Sequence, residues 1–438
     1  MKKIFTNIHT MAALLIASAT FVACSNDDNT IGEQPTNPTE PQVYAMTVNA
    51  SKNGGTTRAL SLDGSTLNAT WATTENIYVK KGSTWATGSL QPQDNAATAT
   101  LKGTLSGISI ATSDELTLQF PKSGNISYDG QVGTLTDIAA NFDYATATVT
   151  VNSISGGNIT TTGTANFVNQ QAIVKFMLKK YDGTELPSNP TAFTVSDGTS
   201  TVSLTSIPAA TYTTNGNGVL YVAFPATGTS KTVTLTATVD DDTYTYEKAA
   251  VTLVSGQYYA ITVKMARVLA SAKTDDIGKI AGANGRIYDT KAAAETAGTT
   301  AVAMIAYVGS GTDNATYKHG LAIALADENP YQSLVNWSTA KSTCEGKTAV
   351  TGAAWLLPSQ NQWKAMFKAN GNDDGLYSGL NAAISAAKGT PFYAGYYYWS
   401  SSEYSVDNAY IVYLRDGAVW WYNDPKVNTN RVRACLAF

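Results

Sequence analysis

Several stretches between residues 43 and 266 alternate apolar and polar side chains with a period of two. The pattern is clearest in Val43–Ala50, Tyr144–Val151 and Thr232–Val239, which are rich in valine, threonine or tyrosine. Such alternation places one set of side chains on a buried face and the other in solvent, which is typical of half-buried strands. Since no helical period of useful length appears before residue 267, this part is predicted to be a pair of β-sandwich-like domains.

The first of these strands leads into a segment that is too flexible and polar to pack. Gly54 and Gly55 are followed by two threonines, and Arg58 closes the segment as the only arginine before Arg267. Proteolysis concentrates in exposed loops of small polar residues. An arginine-specific protease would therefore find one accessible target here, the bond between Arg58 and Ala59. The alternative is an ordinary surface arginine.

Length and charge narrow the class of protein. A chain of 438 residues is too long for one core and suggests two to three domains. Only 14% of its residues are charged, against about 25% in an average globular chain, which suits an extracellular β-rich protein. The net charge of -4 is unclustered, so no basic patch marks a nucleic-acid binder. His9 and His319 are the only histidines, which leaves little material for a histidine-based metal or catalytic site.

The N-terminus is predicted to be a targeting segment. Lys2 and Lys3 precede an apolar stretch, Met11–Val22, which is too short to span a bilayer. Ala23 and Cys24 end this stretch like a lipoprotein cleavage site. Residues 1–23 are therefore predicted to be a lipoprotein signal peptide, with Cys24 as the mature N-terminus that would carry lipid such as palmitate. A secretory signal with an incidental cysteine is the alternative. The acidic run after Cys24 resembles tags that carry lipoproteins of Bacteroidota to the cell surface, and residues 24–42 are a proline-rich tether.

Two further cysteines, Cys344 and Cys435, remain in the C-terminal third. In an exported protein an isolated pair of cysteines is most simply a disulfide. A catalytic thiol would need a nearby base, and His319 alone is weak support for one. The sequence therefore favours a disulfide.

Three separated segments carry a resemblance to a known family. Residues 57–93, 167–180 and 255–265 resemble the opening of fimbrillin-type (type V) pilins of Bacteroidota and the start and end of that family's second domain. The resemblance implies two tandem, transthyretin-like β-sandwich domains, at residues 43–155 and 156–266. It covers residues 43 to 266.

The same resemblance implies a mode of assembly. In that family a lipoprotein precursor reaches the outer membrane, and an arginine-specific protease removes the lipid anchor together with the first strand. The emptied groove then accepts a strand donated by another fimbrial subunit. By position, Val43–Ala50 corresponds to the removed strand and Arg58–Ala59 to the cut.

The composition changes after Ala266, and helical spacing appears. Helices are predicted at Lys291–Ala297, at Ser333–Glu345, after a capping box at Ser359–Gln362, and around Leu376–Ala387. The Asp-Gly pair after Arg415 then predicts a β-hairpin.

This arrangement resembles the C-type-lectin-like fold and a surface-domain family related to the formylglycine-generating enzymes. The resemblance rests on Trp355–Trp363, Tyr397–Tyr410 and Arg431–Cys435. It implies an α+β domain over residues 267–438, in which the two cysteines occupy the place of a structural staple. No phosphate loop, histidine-metal spacing or Ser-His-Asp set is present in the sequence, so neither an enzyme nor a cofactor is predicted.

Dense aromatic runs in this third suggest a ligand-binding surface. Alternation puts about half of each run on the solvent side, where flat rings stack on sugars or on a protein partner. For any single ring, a place in the core is the simpler interpretation. Asn423 and Asp424 echo part of a calcium-dependent lectin motif, but its partner motif is absent and no metal is predicted. The candidate ligand-binding residues are Tyr397, Trp399, Glu403, Trp420, Trp421, Tyr422, Asn423 and Asp424.

Together these features predict a terminal (tip) fimbrial subunit with an adhesin-like domain for a host or microbial surface ligand. In the fimbrillin family a stalk subunit ends with the strand that it donates, whereas this chain continues into a further domain. A subunit that receives a strand and has none to give stops the polymer. The alternative is a permanently lipid-anchored surface lipoprotein that binds glycans.

Overall fold

The computed structural model describes residues 42–52, 61–63, 66–121, 127–329, 333–371 and 373–438. The predicted signal peptide, Cys24, Arg58 and Ala59 lie outside these residues, as does the predicted tether before Gln42. The chain is mainly β, as the alternation predicts. No helix within the described residues is both long enough and apolar enough to cross a membrane.

The first β region, residues 42–169, contains a nine-stranded sheet built around one buried cluster. The spatial order is β5-β4-β8-β9-β10-β1-β7-β6, and β11 pairs with both β1 and β9. β2 and β3 form a separate hairpin. The elements are β1 (Tyr44–Lys52), β2 (Ser61–Asp63), β3 (Thr66–Asn68), β4 (Tyr78–Lys81), β5 (Thr84–Trp85), β6 (Leu90–Pro92), β7 (Thr98–Leu105), β8 (Glu115–Phe120), α1 (Leu135–Asp137), β9 (Ala145–Ser155), β10 (Asn158–Thr162) and β11 (Ala165–Asn169).

The first strand, β1, is an inner strand of this sheet. It pairs antiparallel with β7 over eight residue pairs and parallel with β10 and β11 on its other side. Tyr44, Met46, Val48 and Ala50 point into the core and are almost fully buried. The period-two pattern of the sequence therefore corresponds to a strand that fills the centre of the core.

The boundary predicted at residue 155/156 falls inside this sheet. Gly156 and Gly157 both have positive φ, at 55° and 79°, and form the tight turn between β9 and β10. Such backbone angles suit a two-residue hairpin turn between antiparallel strands. Residues 156–169 therefore belong to the sheet of the first β region, and the prediction that they open the second domain is wrong.

The second β region, residues 171–267, forms a seven-stranded sheet with a core of its own. The order is β14-β13-β16-β17-β18-β12-β15. Its one helix is a short segment that follows Pro208 and that the sequence pattern does not predict. The elements are β12 (Gln171–Lys180), β13 (Ala192–Ser196), β14 (Thr201–Leu204), α2 (Ala209–Asn215), β15 (Val219–Pro225), β16 (Lys231–Val239), β17 (Asp242–Val251) and β18 (Tyr258–Arg267).

The last strand of this region, β18, is bonded along its length on one side and at its final residues on the other. It pairs in parallel with β12 over eight residues and in antiparallel with β17 through Ala266 and Arg267. Arg267 then binds Asp276, with the shorter contact at 2.5 Å, and lies 3.3 Å from Asp242. The pair with Asp276 fastens the end of β18 to the start of the C-terminal region, whereas the pair with Asp242 holds it to β17.

The C-terminal region, residues 268–438, places helices on both faces of a six-stranded sheet of order β20-β19-β21-β22-β27-β23. Helices α5 and α6 share one core with this sheet, and α4 shares the other. The elements are β19 (Ile280–Gly282), β20 (Ile287–Tyr288), α3 (Lys291–Thr296), β21 (Ala301–Val308), β22 (Gly320–Ala324), α4 (Trp337–Glu345), β23 (Ala354–Leu356), α5 (Gln360–Gly371), α6 (Ser378–Ala386), β24 (Tyr396–Glu403), β25 (Asn408–Arg415), β26 (Ala418–Pro425) and β27 (Cys435–Ala437).

The four predicted helices are present, with one shifted start. The capping box is confirmed: the Gln362 backbone N–H donates to Ser359 Oγ, and the Ser359 N–H donates to Gln362 Oε1. The helix predicted from Ser333 begins at Trp337 instead. Asn336 caps it by accepting a hydrogen bond from the Thr339 N–H, because a short polar side chain at this place satisfies a free helix-end donor.

Candidate functional site

A small three-stranded sheet, β24-β25-β26, carries the aromatic runs of the sequence. Asp416 and Gly417, with φ of 52° and 85°, make the predicted tight turn between β25 and β26. This turn fixes the register, so that Tyr413 lies opposite Trp420 and Ile411 opposite Tyr422. Because successive side chains of a strand point to opposite faces, this register determines which rings lie on the same face of the sheet.

Four rings share one exposed face of this sheet and are called here the aromatic face: Tyr397, Tyr413, Trp420 and Tyr422. Tyr397 and Tyr413 stack with ring centroids 4.6 Å apart, and Tyr422 meets each of them edge-on at 6.3 and 6.4 Å. Trp420 is 54% exposed, Tyr422 48% and Tyr397 40%. The three tyrosine rings hold one another in place while their outer faces stay in solvent, so this part of the surface is ordered before any ligand arrives.

Two predicted aromatic residues do not belong to this surface. Trp399 is fully buried, and its indole N–H donates to the Val335 carbonyl at 2.8 Å, so it cannot contact a ligand. Trp421 is on the opposite face of β26, partly buried against the core of the C-terminal region, with Lys364 Nζ 5.3 Å from its ring centre. Including Trp399 and Trp421 in one binding surface with Trp420 is therefore wrong.

The polar candidates for ligand binding, Glu403, Asn423 and Asp424, are engaged in separate contacts. Glu403 pairs with Lys426 at 2.7 Å, and this hydrogen bond lowers the pKa of Glu403. Asn423 and Asp424 are consecutive on β26 and point to opposite faces; Asn408 donates to Asn423 Oδ1. Asp424 accepts bonds from two asparagines further along the chain, at 2.8 and 2.9 Å. Across the described ranges, no three His, Cys, Asp or Glu side chains form a group that could hold a metal ion.

A buried ion cluster supports the aromatic face from below. Asp327 accepts from Arg433 Nε at 2.7 Å, from Arg431 Nη1 at 2.9 Å and from the Tyr398 hydroxyl at 3.1 Å. All of these side chains are buried. The Arg431 guanidinium also lies against the Tyr396 ring, 4.4 Å from its centre. Since Tyr396 and Tyr398 flank Tyr397 on β24, the cluster fixes the strand that presents the first ring of the face.

Sequence reasoning missed both Tyr413 and this cluster. Tyr413 could have been found by counting back from the Asp-Gly turn, which pairs it with Trp420. Asp327 lies 104 and 106 residues from its arginine partners, and no local pattern marks such a contact.

The aromatic face has the composition of a contact surface. Flat rings exposed on one sheet surface offer large contact area at a low cost in side-chain entropy. Arg415, beside Tyr413 on β25, adds an exposed guanidinium at the edge. His319, the one histidine within the described residues, is at hydrogen-bond distance, 2.7 Å, from the Ala272 carbonyl through its Nε2.

The predicted disulfide is not formed in this structure. Cys344, on α4, and Cys435, on β27, are both free and buried. The Cys435 thiol lies 3.8 Å from Gln362 Oε1. Each cysteine fills a small apolar position in the core, which is a common role for a buried thiol.

Both thiols are expected to be inert in the folded protein at neutral pH. Burial raises the pKa of Cys344 and Cys435, which keeps them as neutral thiols, and only the thiolate reacts. With a raised folded-state pKa, each thiol contributes stability that is present below the unfolded-state pKa and is lost as pH rises above it. Titration with a thiol reagent should find no reactive cysteine of this pair before denaturation and both after it. If neither thiol reacts after denaturation without reductant, the two cysteines form the disulfide that the sequence predicts.

Comparison with known proteins gives distant similarities only. No protein-family model and no curated protein matches the chain. Among solved structures, it is similar to a fimbrial protein from Bacteroides ovatus (13% identity, TM-score 0.31, 91% of this chain and 100% of that one). Two proteins provisionally classed as cell adhesion proteins are also similar. The one from Bacteroides uniformis has 14% identity and a TM-score of 0.29, over 53% of this chain and 94% of that one. The one from Bacteroides ovatus has 12% identity and a TM-score of 0.32, over 51% of this chain and 95% of that one. Similarity at this level carries no conclusion about the function of this chain.

Proposed function

We propose that the chain is a terminal subunit of a surface fimbrium and that it acts as an adhesin. It would be exported as a lipoprotein through Cys24, cut between Arg58 and Ala59, and then take a donor strand from another fimbrial subunit in place of β1. The C-terminal region would meet a surface ligand through the aromatic face. The observation that carries the proposal is that β1 is an inner strand of the first sheet, paired on both sides, with its inward side chains buried in the core.

Removing β1 would leave a strong binding site for another strand. Four inward side chains would leave the core, and the edges of β7, β10 and β11 would lose their backbone partners. Each buried, unpaired backbone group costs about 1 to 3 kcal/mol. A strand that restores the bonds and the apolar contacts binds by β-augmentation and dissociates slowly.

The opposite end of the β regions supports a terminal position. β18 pairs with β12 along its length and with β17 at its last two residues, and it continues through the Arg267–Asp276 ion pair into the C-terminal region. Freeing it for donation would break its pairing with β12 and this ion pair together. These contacts support a subunit that accepts a strand and does not donate β18.

Changing Arg58 to alanine tests the proposal. We expect this variant to remain an uncut, lipid-anchored precursor and to be absent from sheared fimbriae, because the target of the protease is gone. A Lys81→Ala variant, which removes an exposed cation from another part of the first β region, should be processed and assembled normally. Normal assembly of the Arg58→Ala variant would refute the cleavage scheme.

A permanently anchored, glycan-binding lipoprotein is the second candidate, and the aromatic face favours it equally. N-terminal sequencing of surface-exposed protein separates the two. A chain that starts at Ala59 supports the fimbrial subunit, whereas a chain that starts at acylated Cys24 supports the anchored lipoprotein.

A further inference from the structure

The C-terminal end of β1 carries a buried cation. Lys52 Nζ lies 2.9 and 3.2 Å from the two carboxylate oxygens of Glu75 and 3.0 Å from the Thr70 carbonyl oxygen. It is also 4.0 Å from the centre of the Trp71 ring. The side chains of Lys52 and Glu75 are 2% and 3% exposed. Lysine is almost never buried to this extent unless its charge is compensated, and here a carboxylate and an aromatic ring compensate it.

The two halves of this contact lie on opposite sides of the proposed cut. Lys52 would leave with β1, whereas Thr70, Trp71 and Glu75 follow Arg58 in the chain and would stay. A strand that then covered the groove without a cation would bury the Glu75 carboxylate unpaired. Removing one partner of a buried ion pair is strongly unfavourable, whereas the intact pair itself adds little stability. The contact therefore discriminates between strands more than it stabilises any of them.

We infer that Glu75, Trp71 and the Thr70 carbonyl form a cation pocket that selects the incoming strand. The inference rests on the proposed replacement of β1. The occupant must place a lysine or arginine in the pocket, at the end of a row of inward apolar side chains. In β1 that row starts at Tyr44 and ends at Lys52, eight residues later. The Tyr44 hydroxyl accepts a hydrogen bond from the Ile110 N–H at 3.0 Å.

Peptide exchange into the cut protein tests the pocket. The full chain is cut with an arginine-specific protease, and the N-terminal fragment that carries β1 is removed under denaturant. The remaining chain is refolded with an excess of a fluorescent peptide of residues 42–52, or of the same peptide with Lys52→Arg or Lys52→Met. Bound peptide is measured by gel filtration. The unchanged and Lys52→Arg peptides should bind, and the Lys52→Met peptide should bind on the order of a hundredfold more weakly. Equal binding of the Lys52→Met peptide overturns the cation pocket.

The acceptor side provides a second, independent measurement. Glu75→Gln removes the buried charge, so the preference for the lysine peptide over the methionine peptide should shrink to a few-fold. Glu115→Gln, an identical change at an exposed position on β8, should leave the preference intact. If no peptide enters the cut chain at all, strand replacement is overturned, and with it the proposed assembly; a strand that enters without any preference overturns only the pocket.

Discussion

Replacing Asp327 with asparagine is expected to lower the free energy of unfolding of the C-terminal region by about 3 to 5 kcal/mol, since it takes the carboxylate from the buried Arg433 guanidinium. Arg433 is fully buried, so water cannot replace the lost partner. The bonds from Arg433 to the Ala324 and Thr390 carbonyls remain, but these neutral acceptors do not balance the charge.

Amide hydrogen exchange measures this effect region by region. Protection should fall on the order of a hundredfold or more in peptides that cover β24 and residues 430–438, because both depend on the cluster. Peptides that cover β1 should be unchanged and serve as an internal reference. Asp407→Asn, the same change on an exposed loop, should alter neither. Full protection of β24 in the Asp327→Asn variant would show that the cluster does not hold this strand.

Removing rings from the aromatic face is expected to abolish ligand binding while the fold stays intact. Trp420 and Tyr422 are about half exposed, so their loss creates no cavity in the core. Exposed substitutions of this kind usually change stability by less than about 0.5 kcal/mol. At the centre of a binding surface, an aromatic residue contributes about 2 kcal/mol or more, which corresponds to a loss of affinity of about thirtyfold for each ring.

A glycan array and a panel of immobilised surface proteins provide the measurement. Trp420→Ala and Tyr422→Ala should each lose the signals that the unchanged chain gives, with an unaltered melting temperature. Tyr404→Ala is the matched control, since Tyr404 is 57% exposed and packs on Tyr410, outside the aromatic face. Equal loss in the control, or full binding by Trp420→Ala, would place the ligand elsewhere.

Local chemistry explains the parts of the fold that the sequence predicts well. β1 and β16 alternate cleanly, the Asp-Gly turn sets β25 against β26, and the Ser359 capping box starts α5. In each case the determining residues are only a few positions apart. The mainly-β fold class and the four C-terminal helices follow from such signals.

Features that depend on distant contacts could not be predicted in this way. The Gly156–Gly157 pair resembles a boundary between domains in the sequence. The pairing of β10 and β11 with β1 instead makes this turn part of the first sheet. Lys52 has the sequence of an ordinary strand end, and only the fold brings it to Glu75. The sequence placed half of the aromatic residues in solvent but could not say that Trp399 is among the buried ones.

The long antiparallel ladder between β1 and β7 has a mechanical consequence if the chain is anchored through Cys24 as proposed. Traction on such an anchored chain would reach the first sheet through the N-terminal end of β1. Force along the strand loads the eight residue pairs together in shear, whereas force across the strand would open them one after another. The paired length of β1 would then resist traction along the strand as a single unit.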